Sequence, residues 1–398
     1  MAVILISMDK AVFGNWLARL AVLGLVCLLC APWLLPSHTY YHRLIIFFLW
    51  LPALLHLLLM YKCYPSMDKL FSWLYLLVSA WFMFAIVLGV ERGGDLRELK
   101  LPFYIALSLL GFMVSALYLR ERLPDFLLLC CVLGGLGAGL SWFNFYFVQG
   151  HDFSARVVSM GLWRVVIPAA QASGALLILM IFLGFDRRRG PWLLCGLLLA
   201  LLGFGVFLYF NQTRWVWFSL VLSCVGGAVL LRSKAAIKGA LVALLLIGVV
   251  FLIRPDLLSN RGFSYRPEIW QGGLALLLDN WLHGVGLKEY WISIASRPIS
   301  FNHAHNMFLD IGIRFGVPGL LLWVGLWCRA GWRAFKWRDT TLGGAALALW
   351  LYSGLVVLTD STMPWEKPTA IWFVTWLPIA LALAIDLRAR SAEQSPAP

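Results

Sequence analysis

The chain has 398 residues, of which 62% are hydrophobic and 13% charged, with a formal net charge of +13 and a mean hydropathy of +0.84. Soluble chains carry about 25% charged residues, so the composition excludes a soluble globular protein and indicates an integral membrane protein. The apolar runs approach the roughly 20 residues that cross a hydrocarbon core of about 30 Å, and none alternates as a membrane β-strand would; helices are therefore the spanning element.

Twelve spans are predicted, centred near Val22, Leu51, Val78, Leu109, Leu133, Leu177, Leu199, Val221, Leu245, Leu320, Leu349 and Trp376. An even number puts both termini on one side of the membrane. The loops on that side carry Lys62, Lys69, Arg120, Arg122, Arg187, Arg188, Arg189, Arg232, Lys234, Lys238, Arg329, Arg333, Lys336 and Arg338, and the tail adds Arg388 and Arg390. By the positive-inside rule this side is cytoplasmic. The first span, with Lys10 and Arg19 but no small-residue cleavage site after it, reads as a retained anchor. Cys27, Cys30, Cys130, Cys131, Cys195, Cys224 and Cys328 fall in or at the ends of spans and Cys63 in a cytoplasmic turn, which is neither a disulfide framework nor a zinc spacing.

Most connections are short, but the stretch from about Arg254 to Asn306, on the opposite side, is far longer than a helix-to-helix turn. Within it Ile269, Trp270, Leu274, Leu277, Leu278, Trp281 and Leu282 recur at helical spacing with Glu268, Gln271 and Asp279 between them, which predicts an amphipathic helix on the membrane surface or over the bundle. His283-Gly284-Val285-Gly286 then ends it. The expected organisation is spans 1 to 9 in 1–253, an outer loop in 254–306, spans 10 to 12 in 307–390 and a disordered cytoplasmic tail in 391–398.

Arg156, Arg164, Arg214, Arg254, Arg261, Arg266, Lys288 and Arg297 lie on the outer side, where the positive-inside bias would remove them, and few carboxylates accompany them. Arginine forks bind phosphate oxygens bidentately while remaining charged, so the arrangement suits an anionic ligand at the outer leaflet such as a lipid-linked diphosphate. Arg214 stands at the start of a span beside Trp215 and Trp217, and the alternative role is an interfacial anchor. Arg266 precedes Pro267 and a helix start, and its alternative is simple pairing with Glu268.

The segment Phe301 to Pro318 sets His303, His305, Asn306, Asp310 and Arg314 at the edge of an apolar span, where ionisable groups are expensive. His303 and His305 share a face only if the segment is extended. A zinc site would need a third ligand that no spacing supplies, and the arginines oppose a divalent cation. A neutral imidazole acting as proton acceptor fits better, since neighbouring positive charge keeps histidine deprotonated. A third role, for either histidine, is to cap the helix at the mouth of the span.

His305-Asn306, nine residues, then Gly316-Val317 resembles the histidine motif of the bacterial O-antigen ligases. Arg266 with Trp270 and then Gly284-Val285-Gly286 resembles the segment preceding that motif in the wider ligase and polymerase family, and Thr213-Arg214 resembles its other essential arginine. The likeness is specific between about Asn211 and Gly319 and elsewhere is one of topology. It implies an all-α polytopic membrane protein of about twelve transmembrane helices, GT-C-like, with one large periplasmic loop. It also implies a location in the bacterial inner membrane, with both termini cytoplasmic and the active site periplasmic.

The implied activity is transfer of O-antigen polysaccharide from undecaprenyl diphosphate to a sugar hydroxyl of the lipid A core, by metal-independent inverting displacement. His305 would be the base and Arg214 and Arg266 the diphosphate clamp, with His303, Asn306, Arg156 and Arg164 supporting. The partners implied are the two glycolipids and membrane lipids, with no cofactor, no metal and no nucleic acid. Rival readings are an O-antigen polymerase, a protein O-oligosaccharyltransferase and, more remotely, a twelve-span secondary transporter, which would show related halves and broken helices near the midplane.

Overall fold

The computed structural model describes residues 2–65, 67–89, 95–184, 190–231, 234–253, 265–294, 299–361 and 363–394. Its helices are α1 (Ala2–Cys30), α2 (His38–Ile45), α3 (Leu51–Met60), α4 (Lys69–Gly89), α5 (Leu101–Leu119), α6 (Leu123–Phe143), α7 (Val166–Gly184), α8 (Pro191–Asn211), α9 (Arg214–Leu231), α10 (Lys234–Ile253), α11 (Arg266–Asp279), α12 (Met307–Lys336), α13 (Thr341–Val357) and α14 (Trp372–Gln394). Each of the twelve expected span centres falls inside one of these helices. Among the described residues, nine helical stretches are long and apolar enough to cross a membrane; α2 and α3 form one of them, and Leu96–Val148 is a single stretch broken at Arg120, whose φ is +48°. At 17 residues, α13 is the shorter apolar helix. The molecule is an all-α polytopic membrane protein.

The most enclosed helices are α7, α13 and α14, which pack on one another and are buried along nearly their whole length. A helix apolar all round is stable only where neighbours or lipid cover every face, and here neighbours do. The rim helices α4, α8 and α9 instead expose Leu, Val and Phe side chains such as Leu76, Leu202 and Leu222, as lipid contact requires.

On what the sequence marks as the cytoplasmic side, Asp68 accepts from Arg329 at 2.6 Å and Arg333 at 2.8 Å. Arg333 also holds Asp386 at 2.9 Å, tying α12 to α14 and to the start of α4. Arg333 is thus a buried structural cation rather than a solvated loop residue.

α12 carries the device that positions the site. Gly316 has φ +69° and ψ −179°, so the helix is interrupted there. A break at membrane depth frees backbone groups that lipid cannot satisfy, each at a cost of several kcal/mol. Here they are met: Val317 N donates to Trp281 O at 2.7 Å, Val285 N to Ile313 O and Gly286 N to Arg314 O at 2.9 Å, and Trp81 Nε1 to Phe315 O at 2.7 Å. A Cβ on Gly284 would lie 2.3 Å from the Arg314 carbonyl carbon, so that glycine permits the close approach.

A helix stands where the amphipathic one is expected, as α11. It turns Ile269, Gly273 and Leu277 inward and leaves Leu274 and Leu278, with Trp281 and Leu282 just beyond its end, exposed. A two-stranded hairpin, β1 (Ile292–Ser293) with β2 (Ser300–Phe301), connects α11 to α12.

Candidate active site

Residues from three separate parts of the chain meet at the mouth of α12. Asn306 caps the helix, its side chain accepting from Leu309 N at 3.1 Å. His305, just before the cap, takes φ +49°, a left-handed conformation that a non-glycine residue holds only when its surroundings fix it. The turn aims its Nδ1 at Asp360 Oδ1, 3.0 Å away. An ionised carboxylate can only accept, so a neutral His305 must donate from Nδ1, which leaves the Nε2 lone pair for another proton.

Asp360 lies in the connection after α13 and is largely buried. Gln171 of α7 donates to its backbone carbonyl, and Tyr352 in turn donates to the Gln171 carbonyl at 3.0 Å. Arg266, the first residue of α11, donates from Nε to Thr359 O at 2.7 Å and places Nη2 3.5 Å from Asp360 Oδ2. Among the described residues, that buried oxygen accepts no hydrogen bond. Arg266 is therefore partnered by Asp360, not by Glu268. Burial pushes its pKa down, Asp360 opposes this, and the charge of Arg214 adds to the lowering. Arg214 is thus close enough for the two guanidinium groups to feel one another.

The turn that presents Arg214 is built by its neighbours. Asn211 ends α8 fully buried, its Nδ2 donating to Val157 O at 3.0 Å and Val166 O at 2.9 Å, while Gln212 takes the left-handed φ of +57°. Arg156 donates to Asn211 O at 2.8 Å and to Thr213 Oγ1 at 3.0 Å, so it braces the turn. Arg164 donates to Gly161 O at 3.4 Å. Of the other basic residues expected on the outer side, Arg254, Arg261 and Arg297 lie outside the described residues.

His303 sets its ring 3.8 Å from that of His305, tilted by 47°, and contacts Asn302 Oδ1 through Nδ1 at 2.9 Å. Burial, then the neighbouring His305, hold its pKa below the usual imidazole value. His303, His305 and Asp360 together bring three potential metal-ligand atoms within 4.8 Å of one another. Asp360 is a potential third ligand that local spacing does not reveal. A divalent cation there would compete with Arg266 for the same carboxylate.

No local motif marks Asp360, although a carboxylate directly after an apolar helix is the kind of costly group that signals a site. The chemistry open to the assembly is proton removal at His305 Nε2 beside two cations able to hold an anion.

Comparison with known proteins gives two matches. The O-Antigen ligase family model matches residues 165–324, which include Arg214, Arg266, His303 and His305 but not Asp360. The chain is also 26% identical over 390 residues to the O-antigen ligase of Pseudomonas aeruginosa (strain PAO1), covering 96% of this chain and 93% of that protein. With the histidine motif in the mouth of α12 and these two matches, the chain is similar to the O-antigen ligases, most specifically across residues 165–324.

Proposed function

We propose that the protein transfers an O-antigen polysaccharide from undecaprenyl diphosphate to a sugar hydroxyl of the lipid A core, on the periplasmic face of the inner membrane. The observation that carries this reading is the His305–Asp360 pair set against Arg266, with the charge of Arg214 acting on the same place. In the reaction the acceptor oxygen attacks the anomeric carbon of the donor sugar and its proton passes to His305 Nε2. The bond from that carbon to the diphosphate breaks with inversion, and undecaprenyl diphosphate leaves with the electron pair. Arg214 and Arg266 stabilise the charge that accumulates on the leaving group, and such preorganised cations act more strongly in a dry site than in water. Asp360 fixes the tautomer and aim of His305 and stabilises the imidazolium as it forms, a role that does not require its own protonation.

An apolar groove of about 480 Å³ between α7, α8, α9 and α10 supports a polyprenyl donor. Its walls include Leu177, Leu202, Val206 and Leu220, and Trp217 and Tyr209 put it one turn from Arg214. A donor lying there would have its tail in the groove and its diphosphate at the arginines.

The three potential ligand atoms of His303, His305 and Asp360 favour a second reading, in which a metal ion replaces the arginine clamp. One experiment separates the readings. Purified protein is given lipid-linked O-antigen with either lipid A core or a second lipid-linked repeat, with and without excess EDTA. Extension of lipid A core in EDTA is expected. Extension of the second repeat alone identifies a polymerase, and turnover that EDTA abolishes and a divalent metal restores identifies a metal enzyme.

A further inference from the structure

A second cluster of ionisable groups lies directly behind the catalytic turn, and the reaction as proposed does not use it. Asp310, in the first turn of α12, is fully buried. Its Oδ1 accepts from the hydroxyl of Tyr290 and its Oδ2 from Arg314 Nε at 3.1 Å. Arg314 lies 4.9 Å over the Tyr290 ring and donates from Nη1 to Lys288 O at 3.4 Å. Tyr290 in turn accepts the backbone N–H of Ala304 at 3.2 Å. Burial and the adjacent Asp310 charge raise the pKa of Tyr290, so its hydroxyl stays protonated and continues to donate.

Ala304 is fully buried and immediately precedes His305, whose positive φ needs an external hold. The Asn306 cap pins the turn from one side, and Tyr290 pins it from the other. A buried ion pair is a poor source of stability, because desolvation offsets most of the attraction. Helix packing does not need a buried carboxylate here. Holding a phenol hydroxyl under one backbone amide does, because only an anion at Asp310 fixes the hydroxyl proton on one side and leaves the lone pair facing Ala304.

We propose that Tyr290, oriented by Asp310 and Arg314, is a positioning residue for the transfer reaction: it locks the left-handed turn that aims His305 at Asp360 and at the acceptor. The inference rests on the proposed role of His305. It predicts an effect on the chemical step and not on donor recruitment, because Arg214 and Arg266 belong to other segments.

The test is Tyr290→Phe, which keeps the ring beneath Arg314 and removes only the hydroxyl. A small misplacement of a catalytic group can cost up to about 100-fold, so kcat should fall about 10- to 100-fold while KM for the lipid-linked donor stays within about twofold. The melting temperature in detergent should stay at the wild-type value. A wild-type kcat would overturn the proposal, and so would a loss of activity tracking a raised donor KM or a lowered melting temperature. Asp310→Asn provides the second measurement, since its amide can present a donor where the carboxylate only accepts; it should reproduce the kcat loss without the donor KM change, and equal kcat to wild type overturns the idea. His305→Ala is assayed alongside. Activity retained there defeats the proposed function itself, whereas an inactive His305→Ala with a fully active Tyr290→Phe defeats only the positioning role.

Discussion

Gly316→Ala tests whether the break in α12 is required. At φ +69° and ψ −179° the backbone sits in a region that is essentially glycine-only, and forcing a side chain there costs about 1 to 3 kcal/mol. The added Cβ would also lie 2.4 Å from Leu282 O and 2.7 Å from Trp281 O. Both are backbone atoms, so no rotamer change relieves the overlap. Moving that segment away takes with it the acceptor of Val317 N–H, a bond of 2.7 Å worth about 1 kcal/mol net and more in an apolar surrounding. The sum is about 2 to 4 kcal/mol, a large part of the 5 to 15 kcal/mol that typically separates folded from unfolded protein. The assay is chemical unfolding in mixed micelles, with Gly226→Ala as the control. At Gly226 the φ is ordinary and a Cβ would meet only Leu351 Cδ1 at 3.5 Å, so alanine should be neutral or stabilising by up to about 1 kcal/mol. A Gly316→Ala protein within about 1 kcal/mol of wild type would show that the fold does not depend on glycine at the break.

Three further outcomes are expected. His305→Ala and Asp360→Asn should each lower turnover by about 10² to 10⁴-fold without loss of folded protein, and their combination should cost little more than the worse single change, because they act as one unit; full additivity, read from single-turnover rates, would separate them. Arg214→Lys and Arg266→Lys should both be severely impaired, since lysine keeps the charge but loses the fork, with the exposed Lys69→Arg as control; wild-type rates at matched protein levels would reduce these arginines to anchors. Arg333→Ala should cost about 1.5 to 3 kcal/mol by removing the partner that Asp68 and Asp386 share, since Asp68 keeps Arg329 and Asp386 keeps Arg390, while activity per folded molecule is unchanged; an unaltered unfolding midpoint would show that Arg333 contributes nothing.

The helices are legible in the sequence because long apolar runs announce themselves, and every expected centre lies in a helix, although nine stretches among the described residues, not twelve, are long and apolar enough to span. α11 is legible instead from the helical spacing of residues such as Ile269, Trp270 and Leu277. The histidine motif can be found as a pattern, but not the reason for its glycine: that Gly316 breaks the helix depends on Trp281, Val285 and Gly286 arriving from elsewhere to satisfy the freed groups. Asp360 escapes for a related cause. It stands 55 residues from His305, and no local periodicity links a residue after α13 to one before α12. The loop position of Arg333 suggests that Arg333→Lys is near neutral, yet the residue pairs with carboxylates on α14 and before α4, and only tertiary packing reveals them. Arg187, expected to behave likewise, lies outside the described residues.

α11 begins at Arg266, on Asp360, and just past its other end Trp281 and Leu282 sit against the interruption at Gly316. With 14 residues it is a rod of roughly 21 Å. On the proposed function, such a rod links the break in α12 to an arginine that would hold the diphosphate. A side chain that overfills the break would then act at Arg266 as well as on the packing of α12.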